Sequence, residues 1–161
     1  MGGPHVIISD ALAGVRLLYV ETAPFIYFTE KRALYVDKMR AIFRYLDDGL
    51  FDVAASTIAF SEALTKPLKD EDTALVRAYS EMFGTTAGLR MIPVDMLIAR
   101  QLAVLRARYN LKTPDALHIA TAIITHCDAF LTNDLDLKRV TEIRMIVLEE
   151  LELDPPQKRE S

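Results

Sequence analysis

Leu18-Tyr19-Val20-Glu21-Thr22-Ala23-Pro24-Phe25-Ile26-Tyr27 sets an acid directly behind an apolar run and a proline just after the acid. The apolar residues Leu17 to Val20 read as a short strand. Pro24 suits the first turn of a helix, where a missing N–H leaves no bond unmade, so Phe25 to Phe28 open a helix. An acid caught between the end of a strand and the start of a helix stands at the edge where open α/β sheets carry their chemistry.

Outward from this junction the pattern repeats. Ala33 to Asp48 spaces Leu34, Met39, Ile42, Phe43 and Leu46 by threes and fours, an amphipathic helix closed by Gly49. Phe51 to Ala55 reads as a second strand, followed by a helix that Ser56 or Thr57 caps, that runs through Leu64 and that Pro67 stops. Asp70 is placed to cap a helix through Val76 and Tyr79 to about Phe83, and Leu89 to Pro93 reads as a third strand. Asp95 caps a long helix whose stripe is Ile98, Leu102, Leu105 and Tyr109. Thr113 as N-cap and Pro114 as first helical residue start another, apolar on most sides through Ile124, which predicts deep burial. Ala129 to Leu131 gives a fourth strand, Leu135 to Val140 a short helix or turn, and Arg144 to Leu148 a fifth strand.

Strands alternating with helices imply an α/β domain with a mostly parallel sheet covered on both faces. The reading places that domain at residues 17–150. Residues 1–16 form an N-terminal extension, in which Val6 to Ser9 is either an extra strand or part of the extension. Residues 151–161, with Pro155 and Pro156, are expected to fray as a flexible tail.

A chain of 161 residues that is 51% hydrophobic, with 6 Gly and 7 Pro, supports one buried core and excludes a disordered or fibrous class. Its apolar runs fall well short of the ~20 residues that span a bilayer, and residues 1–4 carry no basic segment leading into an apolar one, so a cytoplasmic protein without membrane contact is expected. A single cysteine, Cys127, rules out an internal disulfide and a cysteine-rich zinc site, and reads as a small buried residue. The net charge of −4 gives no global pull on a polyanion, so a nucleic acid would be held by a local basic rim; Lys31, Arg32, Lys66 and Lys69 lie closest to the first two acids, and Lys38, Arg40, Arg44, Arg100, Arg106, Arg108 and Lys112 are further basic groups that read mainly as solvated helix faces.

Four carboxylates sit where solvation alone would not place them. Glu21 follows the first strand, Glu62 is the one acid between Val53 and Leu64, Asp115 opens the most apolar helix, and Asp134 follows the fourth strand. Near a core such groups are neutralised, paired or bound to a cation. Strand ends and helix starts share one edge of a parallel sheet, so the four can converge there. Converging carboxylates without Cys or His ligands favour a hard cation, Mg²⁺ or Mn²⁺. Taken singly, each acid is equally readable as a cap or a solvating residue, and Asp115 in particular suits a first helical turn.

The combination resembles the PIN-domain nuclease family. Leu18 to Tyr27 is similar to that family's opening motif, Ala55-Ser56-Thr57-Ile58-Ala59-Phe60-Ser61-Glu62-Ala63-Leu64 to its second, Thr113-Pro114-Asp115-Ala116-Leu117-His118-Ile119-Ala120-Thr121-Ala122 to its third, and Ala129-Phe130-Leu131-Thr132-Asn133-Asp134-Leu135-Asp136-Leu137 to its fourth. Order and spacing agree over residues 17–148. The resemblance implies an α/β/α sandwich with a parallel five-stranded sheet, Mg²⁺- or Mn²⁺-dependent cleavage of RNA, and a VapC-like toxin inhibited by a small protein antitoxin and acting as a homodimer. Carried over, the family's acids fall on Glu21, Glu62, Asp115 and Asp134, and its motif hydroxyls on Thr22 and Thr132, with Asp136 a weaker member of the cluster. The first acid departs from the family, which has Asp where this chain has Glu21. The added methylene carries the carboxylate about 1.5 Å further, so Mn²⁺ is expected to serve better than Mg²⁺ and Glu21→Asp to restore the usual arrangement.

His118, one turn from Asp115, is read as a packed histidine rather than a general base, and Asp10 as a weaker rival to Glu21. Phe25 to Phe28 read as core rather than a base-stacking platform. Two other functions compete: a catalytically silent PIN-like binding module disabled by Glu21, and a phosphoacceptor receiver domain, which also gathers acids at the edge of a parallel sheet.

Overall fold

The computed structural model of the chain describes residues 5–157, so the readings made on 1–4 and 158–161 lie outside the described residues. Its elements run β1 (Val6–Ile7), α1 (Ile8–Ala11), β2 (Leu17–Val20), α2 (Thr22–Thr29), α3 (Val36–Asp47), β3 (Asp52–Ser56), α4 (Thr57–Lys69), α5 (Thr73–Thr85), β4 (Leu89–Ile92), α6 (Met96–Tyr109), α7 (Thr113–Ile124), β5 (Ala129–Thr132), β6 (Met145–Val147) and β7 (Leu151–Glu152). Two 3-10 turns, Leu135–Arg139 and Leu148–Glu150, complete the set.

Five strands form one sheet in the order β4-β3-β2-β5-β6, every neighbour parallel. The chain begins this sheet at its centre with β2, moves outward to β3 and β4, then returns to lay β5 and β6 on the other side. Numbered within the sheet, that order is 3-2-1-4-5. A receiver domain has the order 2-1-3-4-5, so the topology overturns the phosphoacceptor alternative.

Period-2 alternation divides the strand side chains between two cores. Leu18, Val20, Val53, Ala55, Ala129 and Leu131 face one way and pack with Phe25, Met39, Ile42 and Tyr79. Tyr19, Ala54 and Phe130 face the other way, against Ile98, Leu105, Ile119 and Ala120 of α6 and α7. The domain is thus an α/β/α sandwich. Burial of a single Leu, Ile or Phe contributes about 1.5–3 kcal/mol, which explains why β5 and most of α7 can be apolar on nearly every side.

Gly49 ends α3 as expected. It takes φ +73, its N–H bonds to the Leu46 carbonyl, and the Leu50 N–H bonds to the Tyr45 carbonyl, a doubly bonded left-handed stop that favours glycine.

Several expectations need correction. Leu34 does not join the stripe of α3; it lies in the preceding turn and is 79% exposed. Pro67 does not stop α4, which continues to Lys69 with the proline in its last turns. A proline there forfeits one N–H bond to the Ala63 carbonyl, and burial of both side chains offsets the loss. The cap of α5 is Asp72, whose carboxylate accepts from Leu75 N, because Glu71 takes a left-handed φ of +53 and lengthens the turn beyond Asp70. At α7 the backbone enters the helix at Thr113 itself, which puts Lys112 at the cap position and Pro114 inside the first turn.

The segment expected to fray from Leu151 is held down as far as Asp154. Leu151 and Glu152 pair in parallel with Val6 and Ile7. Asp154 then accepts from the backbone N–H and the hydroxyl of Ser9 and from the Tyr45 hydroxyl, at 3.0, 2.7 and 2.9 Å. Leu151 supplies the apolar contact, being 2% exposed.

Candidate active site

Both strands that flank the point where the strand order reverses end in site residues. Beyond Val20 of β2 stands Glu21, whose N–H still bonds to the Leu131 carbonyl at 3.1 Å and so continues the ladder by one residue. Beside it β5 ends in Thr132, followed by Asn133 and Asp134. Between and above these strands α2, α4 and α7 start from the same edge, and they bring Thr22, Glu62 and Asp115. A cleft of about 460 Å³ opens here, lined by Glu21, Thr22, Glu62, Asp115, His118 and Asp134 among others. Thr132 lies beneath it, fully buried.

Each acid has its own fastening. Thr132 Oγ1 donates to Glu21 Oε2 at 2.5 Å and accepts from the Asp134 N–H at 3.1 Å, so one hydroxyl ties the first acid to the backbone of the last. Asp134 Oδ1 in turn accepts from the Asp136 N–H at 3.0 Å, as the cap of the 3-10 turn. On the opposite side Glu62 Oε1 receives Thr22 Oγ1 at 3.0 Å and His118 Nε2 at 2.7 Å. His118 Nδ1 meets the Tyr19 hydroxyl at 2.5 Å, and that hydroxyl accepts the Ser56 N–H at 3.1 Å. Ser56 is the N-cap of α4, the helix that carries Glu62.

The electrostatics divide the acids. Burial, and then the charges of Asp115 and Asp134, push the Glu21 carboxyl above its ordinary range against the bond from Thr132. Burial and the nearby Asp134 raise Asp115 in the same way, partly opposed by Lys112. Glu62 is lowered, chiefly by the hydrogen bond from His118. Burial lifts the Tyr19 phenol well above its ordinary range, so it remains a donor.

The donor set fits a hard divalent cation in its chemistry. It presents carboxylate oxygens, with the one nearby imidazole already committed to Glu62 and Tyr19, and it concentrates negative charge in a partly buried place where two carboxyls resist ionisation. Among the described residues no three His, Cys, Asp or Glu side chains are already close enough together to hold an ion.

Asp136 and Asp10 fall outside the cleft. Asp136 is exposed and pairs with Arg139 at 3.2 Å, and Asp10 is an exposed residue of α1. His118 is 1% exposed, as expected for a packed histidine, but it is also bonded at both ring nitrogens. Sequence reasoning gave Tyr19 no part in the site and read Ser56 only as a cap of α4, which it is. One signal for Tyr19 was available, since it lies two residues before Glu21 and so projects toward the same face of the sheet. The basic rim is partly committed elsewhere: Lys66 pairs with Asp70 at 2.5 Å and Arg32 with Glu30 at 3.2 Å. Lys112 is the basic residue whose charge reaches Asp115.

Comparison with known proteins agrees with this geometry. The family model described as PIN domain matches residues 18–143. No curated protein matches the chain. The VapBC2 structure from Rickettsia felis, bound to a DNA fragment from its promoter, superimposes with a TM-score of 0.68 at 17% identity, covering 81% of this chain and 98% of that one. A toxin–antitoxin complex from Klebsiella pneumoniae gives 0.59 at 22% identity over 81% and 97% of the two chains. VapC20 of Mycobacterium tuberculosis, a sarcin-ricin loop cleaving toxin, gives 0.62 at 14% identity over 79% and 98%.

Proposed function

The chain belongs to the PIN-domain family, and on that premise we propose that it is a Mg²⁺- or Mn²⁺-dependent endoribonuclease, the toxin of a toxin–antitoxin pair. The observation that carries this reading is the cleft at the switch point of the sheet, where Glu21, Asp115 and Asp134 crowd closely enough for burial and mutual charge to raise the first two. A catalytic carboxylate set without a resident cation is expected to behave in this way.

Glu21, Asp115 and Asp134 would hold the cation, with Glu62 completing the set through its second oxygen. Bound there, Mg²⁺ or Mn²⁺ supplies Lewis-acid charge to a phosphodiester. The chain's own residues do the rest. Thr132 fixes Glu21 and the Asp134 backbone in one geometry, and Thr22 and His118 fix Glu62. Lys112, at the start of α7, offers positive charge on the Asp115 side of the cleft, where a phosphate backbone would pass.

A small protein antitoxin as partner is supported by likeness to toxin–antitoxin complexes, and pairing with a second copy of this chain rests on the family resemblance alone. No helix among the described residues is long and apolar enough to cross a membrane. The test is cleavage of single-stranded RNA by the purified chain with and without Mn²⁺. Saturable Mn²⁺ binding with cleavage that Asp115→Asn removes supports the nuclease; cleavage surviving in that variant overturns it.

One observation favours a second reading, a silent PIN-like binding module. Glu21 replaces the family's Asp and is engaged by Thr132, and among the described residues no three acids are within chelating reach. Absence of Mn²⁺ binding in the same titration selects this reading.

A further inference from the structure

We infer that Tyr19 and His118 form a buried positioning chain that fixes the tautomer of the imidazole and, through it, the orientation of Glu62. The inference deepens the nuclease reading, which it assumes for its consequence but not for its geometry.

Counting donors leads to it. Tyr19 is fully buried and His118 is 1% exposed. The phenol oxygen already accepts the Ser56 N–H, and its one other partner among the described residues is His118 Nδ1. The phenol proton therefore has a single acceptor available, the Nδ1 lone pair. If Nδ1 carried the proton instead, the phenol O–H would be buried without a partner, a costly arrangement that folded proteins avoid. Nδ1 thus accepts, and the ring's proton sits on Nε2, 2.7 Å from Glu62 Oε1. The opposite tautomer fails at that end as well, since Nε2 and an ionised Oε1 would face each other as two acceptors.

The result is a directed sequence of donors, from Ser56 N–H to Tyr19 oxygen, from Tyr19 O–H to Nδ1, and from Nε2–H to Glu62. Thr22 adds a second donor to the same oxygen at 3.0 Å. Glu62 Oε1 is saturated by these two, and Oε2 has no hydrogen-bond partner among the described residues, so the carboxylate presents one defined oxygen. Stacking of Tyr19 on Phe130, with ring centroids 5.0 Å apart and planes within 4°, locks the phenol from behind. The chain starts at the backbone of the N-cap of α4 and ends at an acid on that helix, so the device holds Glu62 relative to its own helix start. Tyr19 and His118 are positioning residues: neither needs to touch RNA.

The experiment is two-bond ¹H–¹⁵N correlation of the imidazoles in the full chain, which distinguishes the two neutral tautomers and the imidazolium directly. The parent is expected to show His118 protonated at Nε2 alone, and Tyr19→Phe to keep that proton facing Glu62 while the Nδ1 resonance shifts as it loses its hydrogen bond. RNA cleavage by Tyr19→Phe should fall about tenfold and by His118→Leu about 100-fold, in kcat with KM unchanged, the size usual for residues that orient a ligand acid. His118→Gln, whose amide can donate from nearly the same place, should recover most of the loss and should bind Mn²⁺ more tightly than His118→Leu. Protonation at Nδ1 in the parent, or an Nδ1 resonance unchanged in a folded Tyr19→Phe, overturns the inference. A parent that shows the Nε2 tautomer but cleaves no RNA overturns the nuclease reading and leaves the positioning chain standing.

Discussion

Thr132 and Glu21 stand side by side at the ends of neighbouring parallel strands, and the Thr132 hydroxyl donates to Glu21 Oε2 at 2.5 Å while accepting the Asp134 N–H. A single hydroxyl so serves two of the acids. Thr132→Val keeps the shape of the side chain and removes both bonds. Cleavage is expected to fall about 10–100-fold, with Mn²⁺ affinity falling in parallel. Equal activity of the two proteins at saturating Mn²⁺ counts against the role given to Thr132.

The same bond reverses an expectation drawn from sequence. The longer Glu21 reads as a misplaced acid that Glu21→Asp would correct, yet the structure has its carboxylate already engaged by Thr132. Shortening the side chain withdraws the carboxylate by about 1.5 Å and breaks that contact. Glu21→Asp is therefore expected to lower cleavage with Mg²⁺ and Mn²⁺ alike, measured as initial rates with each ion. A rise with Mg²⁺ would show that the contact to Thr132 is dispensable.

Burial and repulsion raise both Glu21 and Asp115, and the sign of the consequence follows. A carboxyl raised in the folded state destabilises the fold once ionised, so its penalty is full above the raised value and is relieved as the pH falls through that value toward about 4, where an unperturbed carboxyl titrates. Glu62, Asp128 and Asp154 are lowered and act oppositely, losing their contribution as the pH falls below about 4. The metal-free protein is expected to melt at a higher temperature near pH 5 than at pH 7.5, and Asp115→Asn to melt higher than the parent at pH 7.5. Saturating Mn²⁺ should remove the first difference. Thermal melts at the two pH values check it, and a flat profile would refute the crowding.

Lys112 is the cation whose charge reaches Asp115, whereas Lys66 is held by Asp70. Lys112→Glu is expected to weaken RNA binding about tenfold at low salt and to flatten its dependence on salt concentration, while Lys66→Glu has a smaller effect. Filter binding over a salt series compares them. A larger loss in the Lys66 variant would place the basic rim on α4 instead.

Asp154 fastens the strand pair of the two ends of the described chain through Ser9 and Tyr45. The three bonds are exposed, so their combined contribution is modest, about 1 kcal/mol. Asp154→Ala should lower the melting temperature by a few degrees and leave cleavage untouched, as a melt and a rate assay will show.

The sequence made the strands and helices legible wherever apolar spacing was strong, as in α6 and the central strands, and failed where one residue's backbone decided the outcome. Glu71 moved a helix cap from Asp70 to Asp72 by taking a left-handed turn, which composition does not announce. Val6 to Ser9 was legible as one of two alternatives, an extra strand, but its pairing with Leu151–Glu152 was not, because both segments are too short to show a period and meet only through the tertiary fold. In the site, acids after apolar runs stood out because burial of a charge is costly. Tyr19 did not stand out, because a tyrosine between Leu18 and Val20 reads as one more core residue until its hydroxyl is seen against His118.

The strand order also fixes when the cleft can come into being as the chain is made. Glu21 leaves the ribosome at the end of the strand that will occupy the middle of the sheet, but Thr132 lies 111 residues further on. Until β5 has emerged, one side of β2 has no neighbour and the first acid has nothing to hold it. A nascent chain therefore carries three of the four acids without an assembled site. Vectorial synthesis sets the completion of the cleft at the emergence of β5, about a hundred residues after the first acid.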